Sequence, residues 1–226
     1  MTILFEDEAL VAVDKSEGTS TIPERRTTGG SVLEELTAAV AYKPFTVHRL
    51  DKEVSGVLLF AKNAAAHRHL CTQFEKHTIT KHYTALAIGA IGQTRGVIEQ
   101  PIRQYGSGRM GVDGTGGKPC LTEYAVVTPL DGFTLVDVTP KTGRRHQIRV
   151  HFYHIGHPLA GDSRYGDLAY QKRFPRLMLH ASRVTFRHPD GTEKTIESPL
   201  PASFRAVIEN LATYAQDLSA KPLAAE

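Results

Sequence analysis

Only two cysteines, Cys71 and Cys120, stand among the 226 residues. They show no metal-ligand spacing, and so small a number excludes a disulfide framework of the kind that staples secreted domains. Cys71 falls in a predicted helix and reads as a small buried apolar residue. No apolar run approaches the ~20 residues that a membrane-crossing helix needs. The N-terminus has the pattern of a strand rather than a charged-then-apolar leader. The expectation is a cytoplasmic protein with no membrane partner. Internal repeats are absent. The glycine-rich stretch from residue 96 to 117 lacks the Gly-Lys-Ser/Thr that would make it a nucleotide-phosphate loop, so it is expected to be a long hairpin tip or a mobile loop able to close over a ligand.

What is present is ordinary in amount and uneven in distribution. Hydrophobic residues make up 41% of the chain and charged residues 23%, as in a soluble globular domain. The length suits one large domain or a core split into two lobes. The net charge is +3. Residues 1–40 hold eight acids and three bases, whereas residues 141–190 hold ten Lys/Arg and three acids. A basic half of this kind is the electrostatic footprint of a phosphate-backbone partner, although a merely solvated basic face has the same composition.

The local patterns are legible in order. Ile3 to Phe5 and Leu10 to Val13 read as strands around an acidic turn, and Lys15-Ser16-Glu17-Gly18 breaks the pattern. Residues 19–30 are rich in Thr, Gly and Arg and read as irregular. Ser31 and Glu34 form a capping box ahead of a stripe at Leu33, Leu36 and Val40. Val57 to Ala61 is a continuous apolar run, the mark of a strand buried on both faces. Asn63 then caps a helix to about Glu75, with Ala65, His69, Thr72 and Phe74 near one face. Lys81 to Gly89 alternates as a strand, with Lys81, Tyr83, Ala85 and Ala87 on one side. Strands follow at Thr122–Val127 and Phe133–Thr139, joined by a turn at Pro129–Gly132. A helix is expected from Arg145 to Ile155, with Ile148, Phe152 and Ile155 as its stripe and Arg145 and Arg149 one turn apart, both able to approach a phosphate or carboxylate. A strand from Leu177 to Arg187 carries Leu179-His180-Ala181. It turns at His188–Gly191 and returns through Lys194–Glu197. A last helix from Pro199 to Leu211 buries Phe204, Val207, Ile208 and Leu211.

His151, His154 and His157 invite a metal reading. Their second interval runs into Gly156 and Pro158, where the helix ends, and no Cys or carboxylate is placed to complete a shell. No metal is expected. Hydrogen bonding within the loop or to the phosphate-backbone partner is.

The loop that precedes the buried strand carries the chemistry. Arg49 and Asp51 are two residues apart, so in an extended segment they point the same way, with Leu50 turned into the core. An isolated Arg-x-Asp is usually only a surface ion pair. Here it stands inside His48-Arg49-Leu50-Asp51, followed by Val54-Ser55-Gly56 and an apolar strand ending in Ala61-Lys62. That stretch resembles the signature of the RluA-type pseudouridine synthases, with Val54 where the family has Thr. Ser16, where the family has Pro, is a second departure. Lys81-His82-Tyr83-Thr84-Ala85 resembles the family's second motif. Thr142-Gly143-Arg144-Arg145-His146-Gln147-Ile148-Arg149, with its continuation from Gly156 to Gly166, resembles the third.

The resemblance spans nearly the whole chain. It implies an α+β pseudouridine synthase fold: a mixed, mostly antiparallel central sheet with flanking helices and a cleft across it. The catalytic domain would occupy residues 1–211, with a C-terminal tail at 212–226. Because the pattern begins at residue 3, the short form without an S4 domain is expected. The activity implied is isomerisation of a flipped-out uridine in rRNA or tRNA to pseudouridine, on an RNA stem-loop, with a monomer as the default. The base leaves and returns, so no cofactor and no hydrolytic water is needed. By resemblance Asp51 is the catalytic carboxylate, attacking C1′ or abstracting the C2′ proton. The sequence leaves both open. Arg49 would take the place vacated by the flipped base, Tyr83 would lie against the uracil, Arg149 would keep Asp51 ionised, and Arg144 and Arg145 would hold phosphates. Two rival readings are a non-catalytic RNA-binding protein or RNA chaperone, and a hydrolase with an aspartate nucleophile.

Overall fold

The computed structural model describes residues 1–24 and 30–215. Two compact units are present: Met1–His82 with His180–Leu200, and Tyr83–Leu179 with the segment after Leu200.

The first unit is built around β4 (Ser55–Ala61), every residue of which is buried. This is what an apolar run flanked by partners on both edges requires. On one edge β2 (Leu10–Lys15) pairs antiparallel, from Leu10 opposite Ala61 to Lys15 opposite Gly56. β1 (Thr2–Glu6) continues outward from β2, and the two-residue β3 (Phe45–Thr46) also pairs with β4. On the other side β11 (Leu179–Arg187) runs parallel, with His180 opposite Ser55 and Ala181 opposite Gly56. The hairpin partner of β11 is β12 (Glu193–Glu197). The junction of β4 and β11 is tight. Gly56 has φ +117°, and a Cβ there would land on the backbone carbonyl of Ala181.

Two helices belong to this unit, and the second packs on β4 and β3. In α1 (Val32–Ala39) the expected capping box forms in full. The Ser31 side chain accepts from Glu34 N–H, and Glu34 accepts from Ser31 N–H. Val32 and Leu36 are its buried residues, with Leu33 only half-buried. α2 (Ala64–Glu75) starts at Asn63 as predicted, but its face differs from the expected one. Ala66 and Leu70 point into the core, with Cys71 and Phe74 partly covered, and Ala65 is exposed.

In the second unit four strands pair antiparallel in the order β5 (Thr80–Ile88), β10 (Phe133–Pro140), β9 (Leu121–Leu130), β6 (Arg95–Glu99). The division between units falls within β5, just before Tyr83. β9 runs through Pro129, so the turn is confined to Asp131–Gly132 rather than starting at Pro129. The glycine-rich stretch is a hairpin, β7 (Ile102–Gln104) against β8 (Met110–Val112). Asp113 organises its far side by accepting from Thr115 and Gly116 N–H, and these bonds hold its pKa down at about 2.

α3 is shorter than expected, Gln147–His154, because His146 sits in the left-handed region at φ +55° and starts the helix there. Residues Gln147 to Phe152 are all buried, so α3 is a core helix rather than one with a single apolar stripe. α4 (Leu168–Gln171) follows. The expected last helix is present as α5 (Ala202–Glu209), which buries Phe204 and Val207. Leu211 is buried beyond its end, and a final turn, α6, spans Ala212–Ala215. Part of the irregular segment, residues 25–29, and most of the expected tail, residues 216–226, lie outside the described residues. Among the described residues no helix is long and apolar enough to cross a membrane.

Candidate active site

In the first unit the Asp51 loop is held from several sides. Leu50 is 4% exposed and anchors the loop, while Arg49 is exposed and Asp51 half-buried. This is the alternation expected of an extended segment. Leu50's backbone is gripped by one side chain. The Thr21 hydroxyl donates to Leu50 O (3.0 Å) and accepts from Leu50 N–H (3.1 Å). On the far side of Asp51, Lys52 O accepts from the Lys15 ammonium (3.1 Å) and from Gly18 N–H (2.8 Å). Asp51 O accepts from Val54 N–H, closing a tight turn into β4. Val54, where the resemblance has Thr, is buried.

His48 and Ser55 brace the same stretch. His48 Nε2 accepts from Leu59 N–H (3.0 Å), and the ring stacks on Phe74 at 4.5 Å. Burial, reinforced by the charge of Lys81, lowers its pKa to about 3, so the ring is neutral at physiological pH. Lys81 is itself lowered to about 8 by burial. Ser55 Oγ lies 2.8 Å from His180 Nδ1, and His180 Nε2 lies 3.1 Å from Ser198 O. Since a carbonyl only accepts, Nε2 carries the proton and Nδ1 accepts from Ser55. This Ser–His pair is fully buried and serves to tie β4 to β11.

In the second unit Gln147 is the hub of the third motif. Its amide nitrogen donates to Leu121 O and Thr122 Oγ1, and its carbonyl accepts from Thr142 Oγ1 and Arg144 N–H. This locks the Lys141–Arg145 loop, in which Arg144 and Arg145 are both exposed. Arg149 has a different setting. It is 1% exposed, and its Nε and Nη2 donate to Oδ2 and Oδ1 of Asp162, both at 2.7 Å. The expectation that Arg145 and Arg149 approach one group together is therefore corrected. Arg145 precedes the helix and faces water, whereas Arg149 is in the core. Tyr83 is half-buried at the start of the second unit's share of β5, opposite Val138.

Two of the three histidines tempting as ligands are bound otherwise. His151 bridges Thr122 Oγ1 and Gln100 O, and His157 reaches Ile88 O. Among the described residues no group of three or more His, Cys, Asp or Glu is gathered as a metal would need.

Three contributors escaped the sequence reading: Thr21, Gln147 and Asp162. Gln147 and Asp162 lie inside quoted motifs, and that was their signal. Thr21 lies in a segment that read as irregular.

Comparison with known proteins places the chain in a family. Residues 9–154 match the RNA pseudouridylate synthase family. The chain is 36% identical over 225 residues to the ribosomal large subunit pseudouridine synthase C of Vibrio vulnificus, covering 93% of this chain and 69% of that one. It is 37% identical over 221 residues to the RNA pseudouridine synthase YlyB of Bacillus subtilis, covering 93% and 73%. The human RNA pseudouridylate synthase domain containing 1 protein superposes with a TM-score of 0.78 at 28% identity, over 99% of this chain and 96% of that one. With an α+β fold of the matching kind, three motifs in the family's order and this degree of identity, the chain belongs to the RluA-type RNA pseudouridine synthases, isomerases that act on RNA.

Proposed function

We propose that Asp51 is the catalytic carboxylate and that the substrate is a uridine in ribosomal RNA. The observation that carries this reading is the presentation of Asp51. The residue before it is anchored in the core and hydrogen-bonded on both backbone groups, and Lys52 after it is pinned by Lys15 and Gly18. A carboxylate carried on a fixed backbone is what attack at C1′, or removal of the C2′ proton, demands. The ribosomal substrate is supported by the name of the Vibrio vulnificus relative.

The steps follow from the residues. Everting a stacked uridine costs a few kcal/mol. Arg49, exposed beside Asp51, offers a planar cation to fill the vacated stack. Asp51, by attack at C1′ or removal of the C2′ proton, releases uracil as its N1 anion. The uracil turns with Tyr83 against the ring, C5 bonds to C1′ as Asp51 is regenerated, and the C5 proton passes to solvent while N1 takes one up. Arg149, oriented by Asp162, keeps Asp51 ionised. Titration of Asp51 in wild type and Arg149→Ala checks that role, and an unchanged pKa removes it. Arg144 and Arg145 hold backbone phosphates. The protein acts as a cytoplasmic monomer, for which sedimentation at working concentration is the check.

The deciding experiment uses ribosomal RNA labelled with 5-tritiated uridine, prepared from cells lacking the gene. Wild type releases tritium as C5 is joined to the sugar. Asp51→Asn is expected to abolish release and retain RNA binding. Release by the Asn variant at the wild-type rate sinks the assignment.

A further inference from the structure

We propose that Thr21 is a positioning residue for the reaction, setting the backbone from which the Asp51 side chain springs. The inference rests on the reading of Asp51 above. Thr21 itself is 2% exposed, and its one hydroxyl serves both polar groups of Leu50's backbone. Leu50 lies between strands, where no ladder partner supplies those bonds, so the hydroxyl stands in for a neighbouring strand. The Leu50–Asp51 peptide plane is thereby fixed through its oxygen. The plane on the other side of Asp51 is fixed through Asp51 O by Val54 N–H. With both planes held, the direction of the Asp51 Cα–Cβ bond is set.

Thr21 is in turn held by a helix end. Leu33 N–H donates to Thr21 O (3.1 Å) and Val32 N–H to Ser20 O (2.9 Å), so two amides left free at the start of α1 grip this segment. Ser20 and Ser31 also form a parallel bridge. The Ser31–Glu34 capping box fixes that helix end. A continuous line of hydrogen bonds therefore runs from the cap of α1 through Thr21 to the carboxylate loop. A displacement of ~1 Å at a reacting group is enough to cost ~100-fold in rate.

The test compares Thr21→Val, Thr21→Ser and Asp51→Asn. Single-turnover tritium release is measured with enzyme in excess over 5-tritiated ribosomal RNA, and RNA affinity by filter binding. Each rate is normalised to the folded fraction by circular dichroism. Thr21→Val is expected to slow the chemical step ~10–100-fold with Kd within about twofold. Thr21→Ser, which keeps the hydroxyl, is expected to return to within about threefold of wild type. A wild-type rate for Thr21→Val beside an inactive Asp51→Asn overturns the role of Thr21 and leaves that of Asp51 standing. Equal losses in the Val and Ser variants also overturn it, since the hydroxyl would then not matter. If the Val variant does not fold, the Ser variant decides: a near-wild-type rate supports the proposal, and a rate at the Asp51→Asn background overturns it. Turnover by Asp51→Asn removes the reading on which the proposal stands, and the proposal with it.

Discussion

Arg149 and Asp162 form a bidentate ion pair in which each side chain is only 1% exposed and both nitrogen–oxygen distances are 2.7 Å. Asp162 Oδ1 also accepts from the N–H groups of Arg164 and Tyr165. Removing one partner of so buried a pair leaves an uncompensated charge, at a cost of about 3–5 kcal/mol. Asp162→Asn and Arg149→Met are each expected to lower the urea midpoint strongly. The double variant Arg149→Met/Asp162→Leu is expected to recover much of the stability. Additive losses in this double-mutant cycle would contradict coupling.

His48 makes stability depend on pH in a defined direction. Its folded pKa is about 3, against 6.5 for an unperturbed ring. Between those values the unfolded chain binds the proton and the folded chain does not, so stability rises with pH across this window. The contribution is complete above about pH 6.5 and is lost as pH falls toward 3. Denaturant midpoints measured from pH 7 to pH 4 are expected to fall less steeply in His48→Gln than in wild type. Parallel curves would remove the assignment.

Arg144 and Arg145 project from a loop locked by Gln147, and both face solvent. Substituting either by Ala is expected to weaken RNA binding without altering the rate at saturation. It is also expected to lower the slope of log K against log salt by about one. Filter binding from 50 to 200 mM salt tests this, and a full-strength slope with slowed turnover would place the residue elsewhere in the mechanism.

Gly56 leaves no room for a side chain. Its φ of +117° is foreign to L-residues, and a Cβ would meet the Ala181 carbonyl. Gly56→Ala is expected to cost at least ~3 kcal/mol through overlap and backbone strain together. Thermal melting measures this, and a Tm within a few degrees of wild type would show that β4 and β11 can separate locally.

Much of the architecture was readable because the relevant signals are short-range. The Val57–Ala61 run, the Ser31–Glu34 box and the Asn63 cap each depend on neighbours within a turn or two. The site motifs were readable as motifs, and Arg49, Leu50 and Asp51 alternate as an extended segment must. The pairings were not readable. Thr21 and Leu50 are 29 residues apart, and nothing in the spacing of a threonine announces which backbone it will cap. The face of α2 was misjudged because Ala64, Ala65 and Ala66 are alike in polarity, so the stripe has little contrast until Leu70 fixes it. The start of α3 was misjudged because His146 enters the left-handed region, a backbone choice that residue type only weakly signals.

The parallel pairing of β4 with β11 has a bearing on how the protein is made. Ser55 and His180 are separated by 125 residues, and a ribosome delivers the first long before the second. Until the later segment emerges, the strand that follows Asp51 has an open edge, the kind of surface that invites unwanted pairing. The order of synthesis thus leaves the carboxylate-bearing half waiting for its last strand, and truncation anywhere before residue 180 would strand it in that state.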